Sequence, residues 1–338
     1  MHASASVGLA VHPEDGGDAE TLLKNADAAM YHAKELGRNG FRAFSRELDQ
    51  RRAQRLHVET ALRRALRVGE LALHYQPIVD IATGAVRRAE ALLRWNDPER
   101  GLQLPHGFVP LAEESGLGLV LGRWVLDAAC RQLRAWRDAG IREMSVCVNL
   151  SAGQLRDAAM VADLKSILED HGCEPGWLQL EITETSMVRD VENAGIVLAR
   201  LRALGVRIAI DDFGTGFSSL SHLRHLPVDV LKVDKAFVAD IDSARRGEKA
   251  GGAAIVSAVI GLARGLGLSV VAEGVEKQEQ LDFLAREGCD AAQGHLLCVP
   301  LPAPDFERWL KARVRAERRR RGKAAPPPAR KAKAKARA

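Results

Sequence analysis

The stretches LALHYQPIV, residues 71–79, and VRRAEALLRW, residues 86–95, begin a pattern that continues for most of the chain. Both are apolar runs of strand length, and longer segments of helical character alternate with the later runs. Six further runs complete the pattern: MSVCVNLS (144–151), LQLEITE (178–184), VRIAIDD (206–212), VDVLKVD (228–234), SVVAEGV (269–275) and the shorter CDAAQGHLL (289–297). Strands that alternate with helices predict an α/β fold built on parallel strands.

The number of these runs distinguishes between two α/β architectures, the open sheet and the closed barrel. Eight strand and helix units over roughly 240 residues are typical of a TIM-type (β/α)8 barrel. We therefore predict a barrel domain over residues 71–313. In such a barrel the strands end at loops that surround one mouth, and the chemistry takes place there.

Composition places the chain among soluble globular proteins. Its 338 residues suffice for one large domain and smaller pieces, and 46% of them are hydrophobic and 28% charged. The sequence has no apolar run of about 18 residues and no signal-peptide layout at its start, which favours a cytoplasmic location without a membrane segment. The five cysteines are scattered and form no CxxC pair, so neither disulfides nor a zinc site is expected.

The basic character of the chain is confined to its C-terminal end. Residues 311–338 hold thirteen Lys or Arg and a single acid, Glu317, so residues 1–310 carry a formal charge of −7 although the whole chain carries +5. From Glu317 onward the sequence is low in complexity and rich in Ala and Pro, which predicts that residues 314–338 form a disordered tail. Such a tail is either simply solvated or makes weak contact with nucleic acid or an acidic surface.

Polar side chains recur where the predicted strands end. The second to eighth runs end with Glu90; Asn149; Glu181 and Glu184; Asp211 and Asp212; Lys232 and Asp234; Glu273; and Gln293. A lone acid at a strand end is more often a partner in a surface salt bridge than a ligand. The joint occurrence at seven successive strand ends indicates instead that these side chains converge on one mouth of the barrel.

The carboxylates that share this mouth need a positive counter-charge, because like charges a few ångströms apart raise one another's pKa. Divalent cations supply that charge. Since the donors are oxygen atoms of Glu, Asp and Asn, Mg²⁺ or Mn²⁺ is favoured over zinc. The adjacent pair Asp211 and Asp212 suits a site with two ions, because one carboxylate can bridge both ions while its neighbour binds one.

Lys232 and the loop after the two aspartates have other expected roles. An ammonium is repelled by cations, so Lys232 fits better as a group that orients the attacking water or accepts its proton. The loop GTGFSS contains Gly214 and Gly216, which suit a lid or switch element, although a phosphate cradle is a competing interpretation. Asp234 and Glu184 are expected to hold this loop in place.

The first 43 residues contain too little structure to bury a core alone. SASVGLAV, at 4–11, predicts a strand, and the segment after it predicts a helix of about 18 residues. This part of the chain, 1–43, resembles the closing portion of a GGDEF (diguanylate cyclase) domain. Because the catalytic part of such a domain is missing from the sequence, no cyclase activity is expected. Residues 44–70 predict a connecting helix.

Nine motifs are specific to a second family: YQPIV (75–79), EALLRW (90–95), FVPLAEESGL (108–117), VNLS (148–151), EITE (181–184), DDFGTGFSSL (211–220), LKVD (231–234), AEGVE (272–276) and QG (293–294). Through them residues 47–313, which include most of the connecting helix, resemble an EAL domain, the cyclic di-GMP phosphodiesterase module. The resemblance implies a TIM-like barrel whose first strand runs antiparallel to the others.

The resemblance also implies a role for each site residue. The implied metal ligands are Glu90, Asn149, Glu181, Asp211, Asp212 and Glu273. Lys232 and Gln293 are implied to handle the catalytic water, and Gln76 and Arg94 to contact the substrate, Arg94 through a phosphate oxygen. Glu184 is implied to anchor the DFGTG loop, which in such domains links metal binding to the contacts of a homodimer.

The activity implied by the resemblance is hydrolysis of cyclic di-GMP to linear pGpG with two Mg²⁺ or Mn²⁺ ions, which would lower the level of this second messenger. One alternative is a catalytically weak receptor that binds cyclic di-GMP, and another is an interaction protein that acts through its barrel face or tail. Every expected ligand and water-handling residue is present, which favours the enzyme. The segment HLLCVP, at 295–300, departs from the family's pattern in a region that bears on substrate affinity.

Overall fold

The structure is a computed structural model that describes residues 4–35, 39–188, 191–214, 223–241 and 251–323. The strands within these ranges are β1 (Ser6–Leu9), β2 (Gly40–Ala43), β3 (Leu71–Asp80), β4 (Val86–Asp97), β5 (Gly101–Gln103), β6 (Ser145–Asn149), β7 (Leu178–Thr183), β8 (Arg207–Phe213), β9 (Val230–Val233), β10 (Ser269–Ala272), β11 (Ala291–Ala292) and β12 (Leu301–Pro302). The α-helices are α1 (Ala19–Glu35), α2 (Arg46–Val68), α3 (Pro105–Glu114), α4 (Gly118–Asp138), α5 (Ala152–Arg156), α6 (Met160–His171), α7 (Glu184–Val188), α8 (Val191–Ala203), α9 (Lys235–Ala239), α10 (Gly251–Leu266), α11 (Gln278–Glu287) and α12 (Ala303–Lys323).

The described residues divide into two compact units. The first is drawn from Met1–Leu71 and Trp95–Leu121, and the second from Ala72–Arg94 and Gly122–Ala338. All the residues that the sequence predicts for the site belong to the second unit.

In the first unit, β1 and β2 form a parallel pair in which Ser6 lies opposite Gly40. The helix α1 packs against both strands and buries Ala29 and Ala33. The strand β1 and the helix confirm the sequence prediction. The strand β2 was not predicted, because the residues GFRA contain no apolar run and all four are exposed. The helix α2 lies inside the segment 44–70 that the sequence predicts to be helical.

The second unit contains a closed barrel of eight strands. Around the barrel the order is β3, β11, β10, β9, β8, β7, β6 and β4, and β4 pairs back with β3. Each strand is parallel to the next in the series β4, β6, β7, β8, β9, β10 and β11. The strands β11 and β3 are antiparallel, with Ala291 opposite Asp80. The structure therefore confirms the α/β class, the eight predicted strands and the reversed direction of the first one.

A plug of apolar side chains fills the middle of the barrel: Ile78, Cys147, Ala209, Val230, Val271 and Ala291. Each is at most 2% exposed. Side chains two residues apart on a strand point to the same face. The next inward position on each of these strands, towards the mouth where the sequence predicts the site, is therefore occupied by Gln76, Asn149, Asp211, Lys232, Glu273 and Gln293. The plug therefore lies directly beneath the residues of the predicted site.

Aromatic packing joins the last helix to the barrel. The ring of Tyr75, on β3, lies 4.8 Å from the ring of Trp136, and Trp136 stacks on Phe306 of α12 at 5.3 Å. The indole nitrogen of Trp136 also donates to Glu307 at 3.1 Å. Aromatic rings pack well in such edge and stacked arrangements, so α4 and α12 are fixed against β3.

The C-terminal segment departs in part from the expectation of disorder. The helix α12 continues to Lys323, so the prediction of a disordered tail is wrong for residues 314–323. A basic, Arg-rich sequence suggests a solvated chain by its composition, but it contains good helix formers that can extend a helix already fixed by packing. Residues 324–338 lie outside the described residues. Among the described helices, none combines the length and apolar character that crossing a membrane requires.

Two glycines provide a matched test of how closely the backbone packs around the barrel. Gly294, just after β11, is buried, and a Cβ there would collide with the backbone of Val275. Gly294→Ala should therefore lower the free energy of unfolding by about 1–3 kcal/mol. Gly261→Ala, at an exposed position in α10 where a Cβ meets nothing within 4 Å, should raise it by about 0.5–1 kcal/mol. Denaturant unfolding monitored by circular dichroism measures both, and effects of the same sign would contradict the packing described.

Candidate active site

The ammonium of Lys232 lies at the centre of the barrel mouth. Its side chain is 0% exposed. Its Nζ lies 2.5 Å from Glu273 Oε1, 2.6 Å from Glu181 Oε2, 3.2 Å from Asp211 Oδ1 and 3.6 Å from Glu90 Oε2. These carboxylates come from β4, β7, β8 and the residue after β10. The structure therefore brings together acids that are far apart in the sequence.

Burial and mutual repulsion govern the ionisation of this cluster. Burial raises the pKa of Glu181 to about 8, against the opposing attraction of the Lys232 ammonium, and it raises the pKa of Glu273 well above its usual value. Burial alone would lower the pKa of Lys232, but attraction to Glu181 and Glu273 raises it well above its usual value. Lys232 therefore stays charged, and the acids around it are short of positive charge.

A bulge brings Asp212 to the same side as Asp211. Adjacent residues of a regular strand point to opposite faces, but the pairing of β8 with β9 shifts register between Ile210 and Phe213. Asp212 has a φ of +53°, in the left-handed region, and its N–H donates to Asp211 Oδ1 at 3.0 Å. Burial, the charge of Asp211 and a hydrogen bond with Asp234 raise the pKa of Asp212 to about 6.

The oxygen donors of this mouth form a site that could bind a metal ion. Carboxylate oxygens of Asp211, Asp212 and Glu273 all lie within 4.8 Å of one another. The nearby acids Glu90 and Glu181 bring the number of carboxylates to five against the one ammonium of Lys232. A cluster of oxygen donors with excess negative charge suits a divalent cation, so the residues fit the ions that the sequence predicts.

Side-chain amides fix the position of Glu90. Asn149 Nδ2 donates to Glu90 Oε1 at 2.8 Å, and Gln293 Nε2 donates to Glu90 Oε2 at 2.7 Å. Gln293 Nε2 also contacts Gln76 Oε1 at 3.0 Å, and Gln76 Nε2 donates to the carbonyl of Cys298 at 3.0 Å. The Oε1 atom of Gln293 is buried and accepts no hydrogen bond from the described residues. Gln293 therefore has an acceptor that no described residue uses.

The Cys298 contact also locates the segment in which the chain departs from the pattern of the EAL domains that it resembles. The backbone of HLLCVP, rather than one of its side chains, holds Gln76. Substitutions in this segment therefore leave that contact in place.

Gln179 is a polar residue that the sequence analysis missed. It is 1% exposed, and its Nε2 donates to Glu181 Oε1 at 3.2 Å. Gln179 precedes Glu181 by two residues on β7, so both side chains point into the barrel. Gln179 does not lie at a strand end, but the strand period of two places it directly beneath Glu181.

Arg94 is placed beside the acids on the same strand as Glu90. It is 7% exposed, and its Nη1 donates to the carbonyl of Leu93 at 2.8 Å. Burial lowers the pKa of Arg94, while the charge of Glu90 opposes this effect. A guanidinium that is removed from water attracts an anion more strongly than an exposed one.

The start of the loop after β8 is held by Glu184. Glu184 Oε2 accepts a hydrogen bond from the backbone N–H of Gly214 at 3.2 Å. Gly214 has a φ of +99°, and a Cβ there would lie 2.9 Å from the ring of Phe237, so only glycine fits. Gly216 and the rest of the loop, residues 215–220, lie outside the described residues.

The second residue expected to hold the loop, Asp234, has a different set of contacts. Its Oδ1 accepts from the N–H of Ala236 at 2.7 Å and caps helix α9, and it shares a hydrogen bond with Asp212. Asp234 thus ties a metal-site carboxylate to a helix terminus.

Two family models match the chain. The one described as "EAL domain" matches residues 59–300, and the one described as "Diguanylate cyclase, GGDEF domain" matches residues 1–40. The two matches cover the barrel and the first strand and helix, respectively.

Curated relatives match over nine tenths of the chain. The "Bifunctional diguanylate cyclase/cyclic di-GMP phosphodiesterase MucR" of Pseudomonas aeruginosa is 46% identical over 303 residues, which are 90% of this chain and 44% of that protein. The "Cyclic di-GMP phosphodiesterase PdeR" of Escherichia coli K12 is 42% identical over 311 residues, 92% of this chain and 46% of that protein. The chain spans less than half the length of these relatives.

Solved structures share the fold. The one described as "PaMucR Phosphodiesterase, c-di-GMP complex" has a TM-score of 0.70 and 46% sequence identity and covers 74% of this chain and 99% of its own. The EAL domain of Mycobacterium smegmatis DcpA has a TM-score of 0.60 and 40% identity and covers 72% of this chain and 97% of its own.

The raised pKa of Glu181 predicts a pH dependence of stability in the presence of a chelator. Because that pKa is about 8 in the folded protein against 4.5 ordinarily, the folded state binds more protons than the unfolded state between these values. The contribution of Glu181 to the free energy of unfolding is therefore greatest at low pH and is lost as the pH rises towards 8. Unfolding of the parent protein and of Glu181→Gln across this range measures the contribution.

The informative quantity is the difference between the two unfolding profiles, because all other titrating groups are common to both. The stability of the parent relative to Glu181→Gln should fall with rising pH. Glu279→Gln, exposed on α11, is the control for removal of a carboxylate outside the barrel mouth. A parent that gains stability over Glu181→Gln as the pH rises would show that the pKa is lowered instead.

Proposed function

The chain belongs to the EAL domain family, and from that premise we propose that it is a metal-dependent phosphodiesterase that hydrolyses cyclic di-GMP to linear pGpG. The observation that carries the proposal is the cluster in the barrel mouth, where four carboxylates lie within 3.6 Å of the ammonium of Lys232 and a fifth, Asp212, lies beside Asp211 and Glu273. The names of the relatives and the bound nucleotide of the MucR structure support the same substrate.

The ligands that would hold two Mg²⁺ or Mn²⁺ ions are Glu90, Asn149, Glu181, Asp211, Asp212 and Glu273. Bound there, the ions would lower the pKa of a water and neutralise charge on the phosphodiester. Asn149 donates through Nδ2 to Glu90, which leaves its Oδ1 for an ion. Because all of these donors are oxygen atoms, the site is expected to prefer Mg²⁺ or Mn²⁺ over zinc.

Lys232 has the role of orienting the reacting groups. Its raised pKa keeps the proton on Nζ, so it donates hydrogen bonds rather than accepting a proton. Two of its N–H groups hold the carboxylates of Glu181 and Glu273 at fixed positions, and the third, which faces Asp211 Oδ1 at 3.2 Å, is the one that would be shared with the attacking water. The sequence leaves open whether Lys232 orients the attacking water or accepts its proton. A lysine that stays protonated supports the first role.

Gln293 and Arg94 complete the proposed machinery. The free Oε1 of Gln293 accepts a hydrogen bond from the attacking water, while its Nε2 stays fixed on Glu90. Arg94 is a buried cation that attracts the phosphodiester, and Gln76 lies between Gln293 and the Cys298 carbonyl at the substrate side. Glu184 positions Gly214 at the edge of the mouth, where the loop acts as a lid.

We also propose a domain organisation and partners for the chain. Residues 1–43 form the C-terminal portion of a GGDEF domain, 44–70 a connecting helix, 71–313 the catalytic barrel and 314–338 a basic segment. A homodimer that forms near the DFGTG loop would link subunit contacts to the loop that Glu184 holds. The basic segment is free to make weak contact with nucleic acid or another acidic surface.

Turnover by the purified chain tests the proposed function. With Mg²⁺ or Mn²⁺ the protein should convert cyclic di-GMP to pGpG, measured by chromatography of the products. Glu90→Gln keeps the size of the side chain but removes a charged ligand, so it should lower kcat/KM by at least about 100-fold. Glu279→Gln, exposed on α11, is the matched control and should keep the parent activity.

Binding measurements separate the alternatives if no product forms. Calorimetric binding of cyclic di-GMP without release of pGpG would overturn the phosphodiesterase in favour of a receptor. Failure to bind the nucleotide at all would favour a protein that acts through interactions. Full activity of Glu90→Gln would refute the ligand role of Glu90 while leaving the phosphodiesterase assignment intact.

Lys232→Met separates orientation of the water from substrate binding. The substitution keeps an unbranched side chain in a fully buried position but removes the ammonium, so kcat should fall by about 10²–10⁴-fold. KM should change much less, because the substrate contacts are assigned to Arg94 and Gln76. Steady-state kinetics with Mg²⁺ measure both constants. A variant in which KM rises and kcat is unchanged would show that Lys232 binds substrate instead.

A further inference from the structure

The end of the barrel opposite the proposed catalytic mouth contains a second polar cavity. Its volume is about 540 Å³, and it lies where several strands begin. Its lining includes Arg87, Arg88, Arg137, Arg207, Trp177 and Ser269. Cavities of this size hold small organic molecules in other proteins.

Strand geometry explains why arginines line this cavity. Arg88 precedes Glu90 by two residues on β4, and Arg207 precedes Ala209 by two on β8, so both point to the inside of the barrel. Ser269 has the same relation to Val271 on β10. The apolar plug that contains Ala209 and Val271 therefore separates this cavity from the carboxylate cluster.

The cavity has an excess of positive charge. Its lining contains four arginines and two acids, Asp80 and Glu143. Arg87 pairs with Glu143 at 3.3 Å, and both side chains are more than two-thirds exposed. Asp80 accepts hydrogen bonds from the N–H and hydroxyl of Thr83 at 2.7 and 2.6 Å. Within the described residues, the side chains of Arg88 and Arg207 make no hydrogen bond or close ion pair, although the charge of Arg88 helps to lower the pKa of Asp80.

Arg137 adds a further positive charge to the wall of the cavity. Its Nη2 donates to the carbonyl of Met144 at 2.8 Å, and its guanidinium lies 4.2 Å from the centre of the Trp177 ring. Its Nε and Nη1 atoms are buried and have no hydrogen-bond partner among the described residues. Burial lowers the pKa of Arg137. An atom that faced this open cavity would have accessible surface, so these two donors point away from it and Arg137 contributes its positive charge to the cavity wall.

We propose that this cavity is a binding site for a small phosphate monoester or inorganic phosphate, held by Arg88, Arg137 and Arg207. The net charge of the lining is +2, and a phosphate monoester carries about −1.5 to −2 at neutral pH. Arginine matches phosphate because its planar fork donates two parallel hydrogen bonds. The Ser269 hydroxyl supplies a further donor at the cavity wall.

The two phosphate sources differ in what the rest of the cavity contacts. Inorganic phosphate would use the arginines alone. A nucleoside monophosphate would also fill the space beside Trp177. The proposed site contains none of the ligands in the carboxylate cluster, so its occupation does not depend on divalent ions.

Isothermal titration calorimetry on the full chain in the presence of a chelator tests this site. The titrants are inorganic phosphate, GMP and guanosine at matched ionic strength. Phosphate or GMP should bind and guanosine should not. Arg207→Gln should weaken binding at least about tenfold, since it removes a charged hydrogen-bond donor, and Arg88→Gln should do the same. Arg286→Gln, exposed on α11 and outside the cavity, is the matched control and should bind like the parent.

The relative affinities identify the source of the phosphate. Tighter binding of GMP than of phosphate assigns the site to a nucleotide, and equal affinity assigns it to the phosphate group alone. Arg207 is exposed, so Arg207→Gln should keep the parent's circular dichroism and unfolding midpoint. Unchanged affinity in folded Arg207→Gln, absence of heat with both phosphate and GMP, or equal binding of guanosine and GMP would overturn the proposal.

Discussion

The burial of the Lys232 ammonium is the constraint on which the arrangement of the barrel mouth depends. A charge that is removed from water is tolerated only when paired charges and hydrogen bonds replace its hydration. Carboxylates from β4, β7, β8 and the end of β10 supply that replacement. Because each carboxylate is attached to a different strand, the register of the whole parallel sheet has to be correct for Lys232 to be accommodated.

The parts of this arrangement that follow from side-chain alternation could be predicted from the sequence. The eight strand-like runs predicted the barrel, and the polar residues at seven strand ends predicted a polar cluster at one mouth, because a closed sheet brings successive strand ends together. The reversed direction of β3 could not be derived in this way. Periodicity is the same for a strand read in either direction, and only the family resemblance implied the reversal.

Other features depend on tertiary contacts that local patterns do not encode. The bulge that turns Asp212 towards Asp211 arises in the pairing of β8 with β9, and Gln179 acts beneath the strand ends. Residues 40–43 have no strand pattern, and β2 forms because its backbone pairs with that of β1. Likewise, the first turn of α12 packs against the barrel through the contact of Phe306 with Trp136, and the helix continues from there into the basic segment.

The excess of carboxylates over cations couples stability, protonation and ion binding at one place. A single ammonium leaves the five acids undercompensated, and burial together with their mutual repulsion raises the pKa of Glu181 to about 8 and that of Asp212 to about 6. Protons and divalent ions neutralise the same oxygens, so binding of one displaces the other. An ion that binds the folded state alone also stabilises it by mass action. The repulsion among these acids lowers the stability of the folded state, and the same repulsion favours the binding of cations in the mouth. The apolar plug beneath the cluster is buried, so water does not solvate the acids from that side.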